Sequence, residues 1–386
     1  MPAAPELQDP AVEASWKNPR LAGQIPELDG IRGLAIALVL AHHLFAQTIR
    51  AAPGTVAADL VTAMSLSWSG VDLFFVLSGF LIGGILLDAK ESKNYFRTFY
   101  ARRVGRIFPA YYCILGVLIV LAGIGAFPYR APRVIPVWSY LTYTQNFPMA
   151  IFRIFEPEWI GATWSLAVEE QFYLILPLVI LLLSRRSLAV SIAACVAMAP
   201  AFREYLHLHG AHFLAIYTLL PCRMDSLLLG VLVASAARNE RLWALFGKYK
   251  LVFVLALVLL GCALAELSLQ NRDNTIMSGV GYSLIALFYA CLLATVIWFP
   301  DSLFGRLSRL RPLRHLGGIA YGVYLVHPAI NLLAHGFFLH ALPVIDGVKS
   351  LGVTLLGLAL SIGVALLSWE HFERPIVNSV RRHFSY

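Results

Sequence analysis

The chain has 386 residues, of which 59% are hydrophobic and only 13% are charged. Because about a quarter of the residues in an average soluble domain are charged, this composition excludes an ordinary soluble enzyme and indicates a multi-pass α-helical membrane protein. The formal net charge is +8, but the basic residues lie in short loops between apolar segments. That distribution is typical of membrane topology and argues against a nucleic-acid partner.

Ten apolar segments follow one another along the chain, and each is close to the roughly 20 residues that an α-helix needs to cross a bilayer. They lie near residues 30–48, 68–88, 106–125, 165–184, 187–204, 213–236, 250–268, 278–299, 318–338 and 349–370. We therefore predict an all-α transmembrane bundle of about ten helices. Lysine and arginine are concentrated in every second junction, so the positive-inside rule predicts that both termini are cytosolic.

This topology divides the chain into three parts. Residues 1–27 are polar and lack the ordered regions of a signal peptide, so we expect a cytosolic N-terminal tail. The membrane domain extends over residues 28–377. Residues 378–386 form a short cytosolic C-terminal tail.

The first apolar segment, LDGIRGLAIALVLAHHLF at 28–45, contains ionisable residues. Arg32 and His43 are eleven positions apart, and eleven helical steps return to within about 20° of the starting direction. The two side chains would therefore share one helix face, roughly 16 Å apart along the axis. An ionisable residue inside a membrane helix is costly and by default marks a functional site. The alternative is a histidine that only forms a hydrogen bond between helices.

Other predicted helices place polar side chains at the depth of His43. These residues are Asp72 in the second helix, Ser165, Glu169 and Glu170 in the fourth, and His327 in the ninth. Ser165 and Glu169 are four positions apart and share a helix face. We expect Ser165 to have a supporting role, because a serine near a helix start is more often a cap than a nucleophile. His327 is either a site residue or a packing residue.

For two further groups of polar residues we expect a structural role and no chemistry. Arg223 and Asp225 are two positions apart and cannot pair on one helix, so we expect them to bind partners on other helices. The segment HLHGAH contains His207, His209 and His212 in a short outer loop. Because it shows no fourth ligand, we expect no metal site there.

Several segments resemble the motifs of acyltransferase family 3, a family of bacterial membrane acyltransferases. The matching segments are LDGIRGLAIALVLAHH with Arg32 and His43 as R-x10-H, GVDLFFVLSGFLIGGIL (70–86), RRVGRIFPAYY (102–112) with Arg103 and Arg106, and ATWSLAVEEQFYLILPL (162–178). PCRMDSLLLG, AYGVYLVHPAI and WEHFERPI also fit, so the resemblance extends from about residue 27 to residue 377.

The resemblance implies that an acyl group, usually acetyl, passes from cytosolic acyl-CoA to a hydroxyl group. The acceptor would be a cell-envelope glycan, a lipid-linked sugar or a small molecule, and the location would be the bacterial cytoplasmic membrane. Some family members carry a C-terminal esterase-like domain that completes the transfer. Such a relay would here require a separate periplasmic esterase-like partner.

Acyl transfer to an alcohol needs a base for the hydroxyl proton. His43 is the candidate base, and Glu169 or Asp72 would orient it and stabilise the imidazolium. Direct transfer and a covalent acyl-histidine remain open as alternatives.

Arg32, Arg103 and Arg106 lie where the phosphates of CoA would approach from the cytosol. Guanidinium groups match phosphate oxygens well. The alternative is that Arg102, Arg103 and Arg106 only enforce topology and contact lipid headgroups. Arg102 is the weaker candidate for the phosphates.

A different function would use the same buried charges, namely transport or flipping of an acylated or lipid-linked substrate. Transporters often contain inverted repeats with short, broken helices in both halves. The sequence shows no such pairing, which favours the enzyme.

Overall fold

The computed structural model describes residues 18–21, 23–127, 134–268 and 276–386. Within these residues, ten helices are long and apolar enough to cross a membrane, so the predicted all-α bundle is confirmed. They are α1 (Pro26–Ala46), α2 (Val56–Asp88), α3 (Tyr95–Gly123), α4 (Gly161–Leu182), α5 (Arg185–Leu208), α6 (Phe213–Ala236), α7 (Lys250–Leu267), α8 (Met277–Trp298), α9 (Ala320–Leu339) and α10 (Val348–His383). The predicted N-terminal tail lies largely outside the described residues.

Short helices connect the spanning helices. They are Val137–Leu141, Asn146–Phe152, Glu240–Gly247, Leu303–Ser308 and Arg311–Gly318. The loop after α1 also pairs with the loop before α10, since Ile345 N donates to Thr48 O (2.8 Å) and Arg50 N donates to Ile345 O (3.0 Å). This backbone pairing ties the end of α1 to the start of α10.

The centre of the bundle is formed by α2 and α6, which approach each other closely. A Cβ atom at Gly79 would lie 1.8 Å from the Leu227 carbonyl oxygen, and one at Gly230 would lie 2.0 Å from that of Val76. Only glycine permits this distance between the two backbones, as is common where membrane helices pack through small residues.

Two buried ion pairs connect helices in this region. Arg223 Nη2 on α6 donates to Asp72 Oδ1 on α2 (2.5 Å), and Arg203 Nη1 on α5 donates to Asp225 Oδ2 on α6 (3.0 Å). All four side chains are at most 1% exposed. The expectation that Arg223 and Asp225 bind partners on other helices is therefore confirmed. An unpaired charge in a membrane interior is costly. Loss of one partner of either pair would therefore leave a destabilising buried charge on the other.

The chain is not regularly α-helical throughout α1. Residues Ala41–Ala46 form a π-helical turn, in which Gln47 N donates to His42 O (3.0 Å). The sequence predicted a regular α-helix through His43. In the structure, the ideal rotation of 100° per residue applies only up to Leu40. Isolated π-turns of this kind occur frequently at functional sites.

Candidate functional site

A cavity of about 450 Å³ lies at the end of α1 and contains both histidines of the π-helical turn. We call it the histidine pocket. Its other walls are aromatic and polar, and include Trp68, Phe155, Glu158, Trp164, Tyr217, Tyr324 and Asn331. The pocket thus combines wide apolar surfaces with a few polar groups, as is typical of small-molecule sites.

His43 is paired with a second histidine in this region. Its Nδ1 lies 2.8 Å from Nε2 of His327, which belongs to α9 and is completely buried. The two rings are nearly parallel, with centroids 5.1 Å apart. His327, which the sequence left undecided between site and packing, therefore directly contacts the candidate base.

The hydrogen bonds determine which nitrogen of each ring carries the proton. His327 Nδ1 lies 3.0 Å from the carbonyl oxygen of Val323, which can only accept. In neutral His327, Nδ1 is therefore the donor and Nε2 the acceptor. His43 must then donate from Nδ1, which leaves the basic lone pair of a neutral His43 on Nε2. A histidine held in this tautomer is prepared to accept a proton.

Asp72 does not occupy the position that the sequence assigned to it. It is bound to Arg223, and Ser226 Oγ also donates to its Oδ1 (2.9 Å). The Nδ1 atom of His43 is paired with His327 instead of a carboxylate. Rotation about α2 explains the difference, because equal depth on two helices does not make two side chains face each other.

A second cavity, of about 570 Å³, lies among α1, α2, α3, α4, α9 and α10. We call it the arginine pocket. Five guanidinium groups line it, those of Arg32, Arg102, Arg103, Arg106 and Arg381. The three arginines that the sequence singled out are thus brought together, and two that it did not select join them. Arg102 was a weaker candidate for the CoA phosphates than Arg103 and Arg106, and Arg381 was not proposed for that role.

Several of these arginines have fixed positions. Arg32 Nη1 donates to Asp29 Oδ1 (2.8 Å), and the Arg106 guanidinium lies 4.9 Å from the Trp369 ring centroid. Arg102 Nε donates to the carbonyl oxygen of Phe384 (2.9 Å). A cluster of like charges on the wall of one cavity attracts anions, and guanidinium groups bind phosphate oxygens in particular.

Glu169 lies in the arginine pocket, where the sequence had expected it near His43. Its neighbours are Ser78, Tyr173 and Arg103. Ser78 and Tyr173 are themselves joined by a short hydrogen bond between their hydroxyl groups. The expected grouping of Glu169 with the outer cluster is therefore corrected, because this side chain faces the guanidinium groups.

Glu170 lies beside the arginine pocket without lining it, and its charge interacts with that of Arg103. It lies near Tyr112 and Tyr143, at the side of α4 that packs against α3 and the following loop. Burial raises the pKa of the Tyr143 hydroxyl, whose ring stacks on Tyr111 with centroids 4.5 Å apart. In the described part of the chain, Glu170 lines neither pocket.

The two pockets adjoin each other. Val71 and Tyr324 line both of them, and we call these two residues the partition. Tyr324 Oη donates to the carbonyl oxygen of Ala162 (2.6 Å) and lies 2.6 Å from Ser165 Oγ. Ser165 of α4 is thus hydrogen-bonded to Tyr324 of α9.

The sequence contained one signal for Tyr324 that was not used. Tyr324 precedes His327 by three positions, so both lie on one face of α9. Among the residues that the structure describes, no group of three or more His, Cys, Asp or Glu side chains is arranged to hold a metal ion.

Comparison with known proteins places this arrangement in a family. The family model described as "Acyltransferase domain" matches residues 25–370. The chain is 28% identical to YrhL of Bacillus subtilis (strain 168), which is named as a candidate peptidoglycan O-acetyltransferase, over 94% of this chain and 56% of YrhL. It is 25% identical to the O-acetyltransferase OatA of Staphylococcus aureus (strain NCTC 8325 / PS 47), over 94% of this chain and 58% of OatA. No solved structure matches the chain.

Proposed function

The chain belongs to the acyltransferase family whose model covers residues 25–370, and from this membership we propose that it is a membrane O-acyltransferase that uses acyl-CoA as donor. The acyl group is acetyl in the simplest case. The chain spans a little more than half the length of the relatives compared above, 56% and 58%. The observation that carries the proposal is the His43–His327 pair, of which His43 lines one pocket, beside a second pocket lined by five arginines.

The arginine pocket is the proposed donor site. CoA carries a pyrophosphate and a 3′-phosphate, and Arg32, Arg103 and Arg106 would bind these groups through charge-assisted hydrogen bonds. The positive-inside rule assigns this end of the bundle to the cytosol, where acyl-CoA is available. We accordingly propose the bacterial cytoplasmic membrane as the location, with both termini in the cytosol.

The histidine pocket is the proposed acceptor site. Its aromatic walls, Trp68, Trp164 and Tyr217, provide flat apolar surfaces of the kind that pack against the C–H faces of sugar rings. Glu158 and Asn331 are polar groups that could hydrogen-bond sugar hydroxyls. YrhL and OatA carry names that describe O-acetyl transfer, on peptidoglycan in the first case. A cell-envelope glycan such as peptidoglycan is therefore the proposed acceptor, and a separate esterase-like partner would act only if the transfer requires a second step.

The proposed reaction is a direct transfer. His43 Nε2 accepts the proton of the acceptor hydroxyl while the oxygen attacks the thioester carbonyl. The new C–O bond forms and the C–S bond breaks. The CoA thiolate leaves into the arginine pocket and takes up a proton there, and His43 releases the proton that it accepted. Acyl-CoA and the alcohol thus give an ester and CoA, with no change in the number of protons.

His327 would stabilise the charged intermediate form of His43. When His43 takes up a proton it becomes a cation whose Nδ1–H still points to His327 Nε2, 2.8 Å away. The Val323 carbonyl holds His327 in the accepting tautomer. This pair performs the orienting role that a carboxylate has in other acyl-transfer enzymes.

The test is an assay of the purified protein in nanodiscs with acetyl-CoA labelled in the acetyl group. Soluble peptidoglycan fragments and a chitooligosaccharide serve as acceptors. We expect alkali-labile label in the glycan and release of the CoA thiol. His43→Gln should lower the rate by about 10²–10⁴-fold, the usual contribution of a general base. His335→Gln, at a buried histidine of α9 that lines neither pocket, is the matched control and should retain most of the rate.

Two results would contradict the proposal. One is the absence of transfer and of CoA release with every acceptor, although the protein is folded. The other is equal activity of His43→Gln and the wild type.

A further inference from the structure

We propose that the partition, Val71 and Tyr324, sets the length of the acyl group that the protein transfers. This inference rests on the proposed function, since it concerns the donor of that reaction. It assigns to two residues a role in donor specificity that neither the sequence motifs nor the two histidines provide.

The position of the thioester follows from the arrangement of the two pockets. The sulfur atom is delivered from the arginine pocket, and the base, His43, stands in the histidine pocket. The carbonyl carbon joins these two sides, so it must lie where the pockets meet. Val71 and Tyr324 are the residues that line both pockets within the described chain. The acyl chain attached to that carbon must therefore pack against them.

The position of Tyr324 relative to the histidines supports this placement. Its ring centroid is 6.0 Å from that of His327, one helical turn further along α9. His327 in turn contacts His43. An acyl group beside Tyr324 is thus next to the histidine pair that would act on the incoming hydroxyl.

Tyr324 is held rigidly. Its hydroxyl group donates to the Ala162 carbonyl on the histidine-pocket side and is bound by Ser165 on the arginine-pocket side. Its ring meets the Phe74 ring edge-on, with centroids 6.2 Å apart. Because these contacts hold both its hydroxyl group and its ring, the Tyr324 side chain cannot swing aside to admit a longer acyl chain without losing them.

The surroundings of the partition leave little additional room. Phe75 and Trp164 are at most 3% exposed and meet edge-on with centroids 6.1 Å apart, and Trp164 also contacts Tyr217 at 4.7 Å. Val71 is itself 5% exposed. Because this layer is closely packed, each further methylene group on the acyl chain would collide with it. The wild type should therefore prefer acetyl to butyryl and exclude hexanoyl.

The experiment compares acetyl-, butyryl- and hexanoyl-CoA as competing donors for one acceptor, a chitooligosaccharide, in nanodiscs. The measured quantity is the ratio of kcat/KM for butyryl-CoA to that for acetyl-CoA. Misfit of a methylene group in a pocket commonly changes such ratios by roughly 10- to 200-fold. We expect Val71→Ala to raise the ratio at least about tenfold, and Tyr324→Leu to extend the range to hexanoyl-CoA.

Two variants that remove similar volume elsewhere are the controls. Leu81→Ala enlarges the arginine pocket alone and Leu332→Ala enlarges the histidine pocket alone. Neither should change the ratio, because neither side chain lines the shared boundary. Val71→Ala removes only two methyl groups and should fold. A thermal unfolding scan verifies this for each variant.

The outcomes separate the two proposals. If the wild type transfers no acyl group from any CoA ester, the proposed function is wrong. If it transfers acetyl but the ratio is unchanged in both partition variants, the proposed function stands and the role of the partition is wrong. The same conclusion follows if the wild type uses hexanoyl-CoA as well as acetyl-CoA, or if the control variants shift the ratio equally.

Discussion

His43 and His327 are 284 positions apart in the chain, yet their ring nitrogens meet at 2.8 Å. The contact joins the first spanning helix to the ninth at the wall of the histidine pocket. Because His327 is fully buried and bound to the Val323 carbonyl, its accepting nitrogen is permanently directed at His43.

This contact predicts a specific effect of His327 substitutions. His327→Ala removes the acceptor for His43 Nδ1–H, so neutral His43 loses its fixed tautomer and the imidazolium loses its partner. We expect kcat to fall by about 10- to 100-fold, less than for loss of the base itself, while the KM for acyl-CoA stays unchanged. Steady-state kinetics with acetyl-CoA as the varied substrate measure both.

The same variant should alter the pH profile of kcat. Loss of a stabilising acceptor makes protonated His43 less favourable, so the pH at which the rate rises should move downward. His327→Gln retains an acceptor oxygen and should restore part of the rate. A His327→Ala enzyme with a normal profile and rate would assign His327 to packing alone.

Arg103 gives a prediction of the opposite kind. It lines the arginine pocket and not the histidine pocket, so its removal should weaken donor binding and leave the chemical step intact. A charge-assisted hydrogen bond contributes about 1.5–3 kcal/mol, so Arg103→Gln should raise the KM for acyl-CoA roughly 10- to 100-fold. Arg186→Gln, at the start of α5 and outside this pocket, is the charge-matched control.

Glu169 should behave like Arg103 and unlike His43. The two side chains line one pocket and interact electrostatically, so we expect the carboxylate to orient the guanidinium group. We expect Glu169→Gln to raise the KM for acyl-CoA several-fold with little change in kcat. In the double variant Glu169→Gln/Arg103→Gln, the two effects should not add, because they act through one interaction. A loss confined to kcat would instead return Glu169 to the catalytic role that the sequence suggested.

The Asp72–Arg223 pair predicts an effect on stability. Asp72→Ala leaves a buried, unpaired guanidinium group and should destabilise the protein by about 3–5 kcal/mol. The double variant Asp72→Leu/Arg223→Met removes both charges and should recover most of the melting temperature. Thermal unfolding in detergent measures this. If the double variant regains stability but no activity, Asp72 has a chemical role beyond the ion pair.

The number and location of the helices could be predicted because each spanning helix is a long apolar segment. Their ends were less accurate. The sequence began the third helix near residue 106, but α3 starts at Tyr95. In α2, a turn separates the short helix Val56–Ala63 from the helix Gly70–Asp88, whose start agrees with the predicted residue 68. By contrast, α10 extends to His383 as an amphipathic continuation that hydropathy alone does not mark.

The sequence predicted which residues form the site but not which of them contact each other. His43, Arg32 and the two arginines of α3 stood out because charge is rare in apolar segments. The partner of His43 did not, because contacts between helices depend on rotation and tilt, which a single sequence does not specify. Glu169 was misplaced for the same reason: depth along a helix says nothing about which neighbour the side chain faces.

The shape of the site depends on the π-helical turn at Ala41–Ala46 as well as on the eleven-residue spacing of Arg32 and His43. The turn closes with Gln47, four positions after His43. Deleting one residue between Leu44 and Ala46 would keep both motif residues and their spacing, yet let the helix relax to its ordinary pitch and rotate the following chain by about 100°. A relative with an intact motif and a shorter helix would therefore have the same two motif residues in a differently shaped site.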